Sequence, residues 1–206
     1  MTARQEAAAA TRRRILETTG MLVCERGFDK VSIDDIVKAC GVARGTFYIY
    51  FKNKAEAVRE FTRRPFSDLE KHLGSMDAPI AKRIETYILE FTRCLEDYGL
   101  PITQQWVREV ADPRSSAEDA DNDKLRFDLE LLTRVLRQAV QVGELRPDTP
   151  IHRIAQLITC QLYGQMTCWC MSMGGISMSD TARTYCQQLL PALLAPYLAD
   201  VEDLSS

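Results

Sequence analysis

Apolar positions recur along this chain at three- and four-residue intervals, and runs that alternate every second residue are almost absent, so the pattern predicts an all-α protein. Ile15, Leu16, Thr19, Leu22 and Val23 mark the inward face of a first helix over residues 7–26, with Gly27 as a left-handed stop. Ser32 and Asp35 form a capping box that opens a short second helix, with Ile33, Ile36 and Val37 inward and Gly41 at its end. A third short helix covers 43–50, with Phe47 inward and Phe51 just beyond it as a second anchor. Asn53 and Glu56 cap a fourth, which is expected to bend or stop near Pro65, a residue without an amide hydrogen.

Further on the elements lengthen. Ile80, Ile84, Tyr87, Ile88, Phe91 and Leu95 give a periodic stretch over 79–98, followed by a shorter helix over 101–111 and a polar loop over 112–119. A long helix is expected over 120–142, stopped by Gly143. Thr149 and Pro150 read as a cap and a first-turn proline that open a helix to about residue 173, where Gly174 and Gly175 break it. Ser177 with Asp180 caps a last helix, kinked near Pro191. The sum is about nine helices, with no internal repeat.

Charge divides the chain. Residues 1–64 hold 13 Lys and Arg against 8 Asp and Glu, a net +5, whereas residues 65–206 hold 13 against 21, a net −8. The overall −3 conceals a basic head on an acidic body, the distribution of a nucleic-acid-facing domain on a solvated trunk. Domains over 1–64 and 65–206 follow. The only apolar run near the start, Ala7 to Ala10, is closed by Arg12, Arg13 and Arg14, which does not read as a secretory signal. The other long apolar run, residues 189–199, contains Pro191 and Pro196 and is too short to cross a bilayer. Seven cysteines at irregular spacings read as reduced, mostly buried thiols, and a cytoplasmic protein is expected.

Two short helices joined by a glycine-containing turn have helix-turn-helix geometry. The stretch from Val31 to Lys54, with its Gly41-Val-Ala-Arg-Gly-Thr-Phe-Tyr48-Ile-Tyr-Phe-Lys-Asn-Lys54 core, closely resembles the amino-terminal domain of the TetR family of bacterial transcription regulators, over roughly residues 10–60. On that resemblance the first three or four helices are a DNA-binding head and the rest a regulatory body. Gly45 lets the backbone of the recognition helix approach DNA. Arg44 reaches either a guanine edge or a phosphate, and Thr46 suits a base edge. Tyr48 and Tyr50 offer phenols to phosphates. Ser32 and Lys54 stand at helix amino-termini, where phosphate is attracted, although Ser32 also reads simply as a cap. The Arg12–Arg14 run is either a solvated face or a DNA arm. Ala43 departs from the hydroxyl residue common at the cap of the recognition helix. Ile49, where relatives are often polar or aromatic, is placed either on a thymine methyl or against the fourth helix.

The same resemblance makes the body an effector-binding and dimerisation domain. Tyr87, Phe91, Cys94, Tyr98, Trp106, Phe127 and Leu131 are the candidates for an effector pocket, with plain core as the competing reading. Ile151, Ile154, Ile158, Leu162 and Met166, then Leu189, Leu190 and Leu193, form two stripes that suit either a dimer interface or the chain's own core. Symmetry favours a homodimer, since one head reads few base pairs and two read two half-sites.

Other chemistry reads weakly. Asp119, Asp121, Asp123 and Glu130 fit part of a calcium loop, but Lys124 stands where glycine is required. Cys168 and Cys170 do not form a Cys-x-x-Cys pair, and no metal, cofactor or enzymatic motif stands out. The expectation is a homodimeric regulator, a repressor of a double-stranded DNA operator that a small apolar or amphipathic effector releases. The alternative is a helical interaction protein with a vestigial head.

Overall fold

The structure, a computed structural model, describes residues 2–111 and 124–199. The expected loop over 112–119, the start of the helix expected at 120 and the acidic run 119–123 lie outside the described residues. Helices α1 (Ala3–Arg26), α2 (Ile33–Cys40), α3 (Arg44–Tyr50), α4 (Lys54–Ser75), α5 (Ile80–Ala111), α6 (Lys124–Gln141), α7 (Ile151–Met171), α8 (Met178–Thr184) and α9 (Leu190–Leu194) follow in order. Among the described residues the extended structure is one isolated bridge, Leu145 to Leu198.

The chain folds as two compact units. The first comprises Met1–Ser67 with Tyr98–Trp106, and the second Asp68–Asp97 with Val107–Ser206. In the first, Ile15, Leu16, Val23, Ile36, Phe47 and Phe51 are buried, so α1, α2 and α3 close over one core. α1 begins earlier than the apolar pattern implied, because Thr2 and Gln5 form a capping box ahead of it. Gly27 ends it with φ 87° and ψ 152°, a positive φ outside the left-handed helical region expected there.

α4 does not stop at Pro65: a single helix runs from Lys54 to Ser75. The acceptor that the amide of residue 65 would have served is the Phe61 carbonyl, one turn upstream. Tyr98 donates its hydroxyl to that oxygen at 3.4 Å, and the two rings pack at a tilt of 54° with centroids 5.3 Å apart. On its other side the Phe61 ring lies against Gly20, where a Cβ would come within 2.5 Å of it. Tyr98 reaches this position because the helix path breaks just after it, at Gly99 (φ 76°, ψ 171°), a backbone conformation that residues with a Cβ rarely adopt.

In the second unit, Ile84, Ile88, Leu95, Leu132, Leu136, Ile158 and Leu162 are buried together with Leu190 and Leu194. Two details differ from expectation. Thr149 does not cap α7. Its hydroxyl donates to the Arg146 carbonyl at 2.6 Å and closes a turn, which leaves Pro150 as an N-cap without a side-chain bond. The kink near Pro191 takes the form of a π-helical turn over Tyr185–Leu189, which widens the ladder ahead of the missing amide.

Candidate nucleic-acid interface

Local hydrogen bonds build the helix-turn-helix. The Ser32 hydroxyl accepts from the Asp35 amide at 3.1 Å, and the Asp35 carboxylate accepts from the Ser32 amide at 2.8 Å, which fixes the start of α2. Both Ser32 donors hold the Asp35 carboxyl below its usual value, the hydroxyl contributing most. Gly41 (φ 66°, ψ 37°) turns the chain in the left-handed region. Phe47 and Phe51 then pin α3 inward, with 0% and 2% exposure. Because those rings face in, Arg44, Gly45, Tyr48 and Ile49 are exposed, while Thr46 and Tyr50 are half-buried.

Packing within the chain does not account for this outward face. A Cβ at Gly45 would meet nothing within 4 Å, yet glycine in a helix costs about 1 kcal/mol relative to alanine. Ile49 is 76% exposed, so of its two placements, packing against α4 is excluded. Arg44 is exposed too, but it is anchored: its Nη1 donates to both carboxylate oxygens of Asp34, at 2.7 and 2.8 Å.

Lys54 is turned inward more than its position suggested. Its ammonium donates to the Phe28 and Val31 carbonyls and lies 4.0 Å from the Phe28 ring centroid. Burial lowers its pKa, with Asp29 opposing the shift. Arg12 pairs with Glu60 through both terminal nitrogens and lies over the Phe51 ring, so it braces α1 against α4 and does not extend as an arm. Arg13 and Arg14 are exposed. The carboxylates of Asp34 and Glu60 were not singled out from sequence; spacing along one helix does not reveal partners on another.

In the second unit, Tyr87, Phe91, Cys94 and Leu131 are buried and Phe127 is half-buried. Tyr87 belongs to a polar knot that the sequence did not announce, and the rings of Phe91 and Phe127 flank its Lys124. Asp128, fully buried, accepts from the Tyr87 hydroxyl at 2.5 Å, from the Tyr163 hydroxyl at 3.0 Å and from Lys124. Burial first, then Asp128, pushes the Tyr87 phenol well above its ordinary pKa. Tyr98 and Trp106, grouped with these residues in the sequence reading, belong to the first unit.

The α7 stripe requires correction. Ile154, Ile158, Leu162 and Met166 are at most 2% exposed and Leu190 is 1% exposed, so they form the chain's own core and cannot touch a partner. Ile151 is half-buried at the start of α7. The outward apolar face lies a third of a turn away. There, Leu157, Cys160, Gln161, Tyr185, Leu189 and Leu193 line an open groove of about 470 Å³. Leu189 and Leu193 are the members of the expected interface that face it.

An all-α chain whose amino-terminal unit presents the unpacked outer face of a short helix behind a capped turn has a helix-turn-helix head. The family model for bacterial regulatory proteins of the tetR family matches residues 15–61. The fatty acid metabolism regulator protein of Bacillus subtilis is 25% identical over 167 residues, spanning 77% of this chain and 83% of that protein. The transcriptional regulator AcrR of Shigella flexneri is 24% identical over 203 residues, 94% of each chain. The structure of FadR from Bacillus subtilis in complex with stearoyl-CoA superposes with a TM-score of 0.67 at 20% identity, covering 89% of this chain and 97% of that one. A SmeT complex with triclosan gives 0.67 at 22% identity, with 93% of each chain covered. Residues 15–61 thus form a helix-turn-helix domain of the tetR type, and over most of its length the chain is similar to transcriptional regulators that carry this domain.

Proposed function

We propose that the protein is a homodimeric repressor that grips a twofold DNA operator with the exposed face of α3 and is released by a small apolar or amphipathic effector held in the second unit. The observation that carries the DNA reading is the combination of Gly45, open where a Cβ would stand, with Ile49, a large apolar side chain left in solvent on the same short helix. Gly45 allows close backbone approach to a groove, and Ile49 suits a thymine methyl. Tyr48, Tyr50, Thr46 and the third ammonium donor of Lys54 supply polar contacts around them, and the +5 charge of residues 1–64 attracts the phosphates.

Two features support the finer parts. The groove along Leu157, Cys160, Leu189 and Leu193 suits a second copy of the same surface, the self-complementary patch a twofold interface requires. Tyr87 and Phe91 are closed into the core around the Asp128 knot, so an effector there enters by opening that core; stearoyl-CoA and triclosan, bound by the structural neighbours, have the apolar body and polar end such a site takes. Effector binding then favours a dimer that no longer fits both half-sites.

The test is duplex binding as a function of salt. Selective binding that weakens steeply between low and moderate salt supports the repressor reading. Salt-independent or absent binding, with retained capture of other proteins, supports a helical interaction protein instead.

A further inference from the structure

Arg44 stands in the first turn of α3, where helix amides already supply partial positive charge and no side chain caps the end. It is nevertheless held in place. Asp34, in the first turn of α2, receives Nη1 on both of its carboxylate oxygens, at 2.7 and 2.8 Å. Tyr48, one turn along α3, also interacts with the guanidinium and, ahead of Asp34, raises its pKa.

An ion pair this exposed, with side chains 57% and 66% accessible, adds little to folding. It also places a carboxylate on the face the head turns to DNA, where phosphates repel it. A carboxylate in the first turn also favours the α2 helix dipole, a role Asp35 already fills, but neither that nor the pair's own energy requires Asp34 to hold the Arg44 guanidinium. A guanidinium is a planar fork: with Nη1 on the carboxylate, the opposite edge, Nε and Nη2, points away from Asp34 with the spacing that matches the O6 and N7 acceptors of guanine. An unclamped Arg44 would instead settle on the nearest phosphate, a contact that carries no sequence information.

We propose that Asp34 is a specificity-determining positioning residue, which clamps Arg44 so that it reads one guanine per head and stays off the backbone. This rests on the assignment of α3 as the DNA-reading helix.

Selection from a pool of randomised duplexes, with sequencing of the bound fraction, gives the base preference of the wild-type protein and of the D34N, D34E and R44A variants. Titration of the selected duplex and of a scrambled one gives the selectivity. D34N is expected to bind the scrambled duplex more tightly, with a steeper salt slope, and to lose about tenfold in selectivity, together with a guanine preference at one base pair per head. D34E should retain that preference. In an R44A background D34N should leave selectivity unchanged, which a charge acting on the whole surface would not do. The proposal is overturned if D34N keeps the wild-type preference and selectivity while general affinity rises, or if its effect persists without Arg44. A wild-type protein that enriches no duplex overturns the DNA reading itself, and the Asp34 proposal with it.

Discussion

The hydroxyl of Tyr98 donates to the carbonyl of Phe61, the oxygen that Pro65 leaves without its helical amide partner. A residue 37 positions beyond that carbonyl thus mends the ladder of α4, and the same ring packs at a tilt against Phe61. Tyr98→Phe keeps the ring contact and removes the donor, and across a bond as long as 3.4 Å is expected to cost about 0.5 kcal/mol. Pro65→Ala restores the amide, so Tyr98→Phe in that background should cost markedly less. Denaturant titrations of the four proteins give the coupling directly; equal costs in both backgrounds would count against the repair.

Acid should act on the start of α2. The Asp35 carboxyl lies below its usual value because the Ser32 hydroxyl and amide donate to it. The unfolded chain therefore binds the proton first as pH drops. The capping contribution is complete above the ordinary carboxylate pKa and is lost as pH falls through the lowered folded value. Ser32→Ala removes the larger of the two donors, so its stability deficit should be greatest at neutral pH and shrink in acid. A deficit that stays constant from neutral pH into acid would contradict that linkage.

Lys54→Ala should weaken the head before any DNA is added. Its ammonium bonds two carbonyls of the α1–α2 connection, and charged hydrogen bonds of this kind contribute roughly 2 kcal/mol. Thermal melts of the DNA-free protein measure this. A substitution silent in the melt but visible in the salt slope would make Lys54 a phosphate ligand alone.

Leu157 and Leu162 differ by five positions and should respond in opposite ways. Leu162 is fully buried, and Leu162→Ala should cost about 2–5 kcal/mol of subunit stability. Leu157 is 48% exposed beside the groove, so Leu157→Glu should yield folded monomers with little change in subunit stability. Sedimentation separates the two. Cys160, also in the groove, should label with a thiol reagent readily in the monomer and slowly in the dimer, whereas exposed Cys168 serves as the reference.

The head was legible because its determinants are local. The Ser32–Asp35 box, the Gly41 turn and the Phe47 and Phe51 anchors are each set by neighbours within a few positions, and hydrogen bonding along the chain is enough to read them. Partners from distant elements were not legible. Nothing near Pro65 announces Tyr98, nothing near Arg44 announces Asp34, and Lys54 has a stem long enough to fold back onto carbonyls 23 and 26 residues earlier. The α7 stripe stayed open between interface and core for another reason. Periodicity identifies an apolar face, but a helix with apolar residues at both Ile154–Met166 and Leu157 has two, and only packing decides which one turns inward.

The break at Gly99 bears on how such regulators can be recombined. A designer wishing to graft this head onto another sensor would cut once, after the fourth helix begins, and carry over residues up to the mid-sixties. That graft would leave behind Tyr98–Trp106, which belongs to the same compact unit although it lies thirty residues downstream. The transplanted Phe61 would lose its neighbouring ring and its carbonyl's donor together. A working chimera needs two splice points, with Gly99 retained, because the backbone there passes through a conformation that other residues rarely adopt.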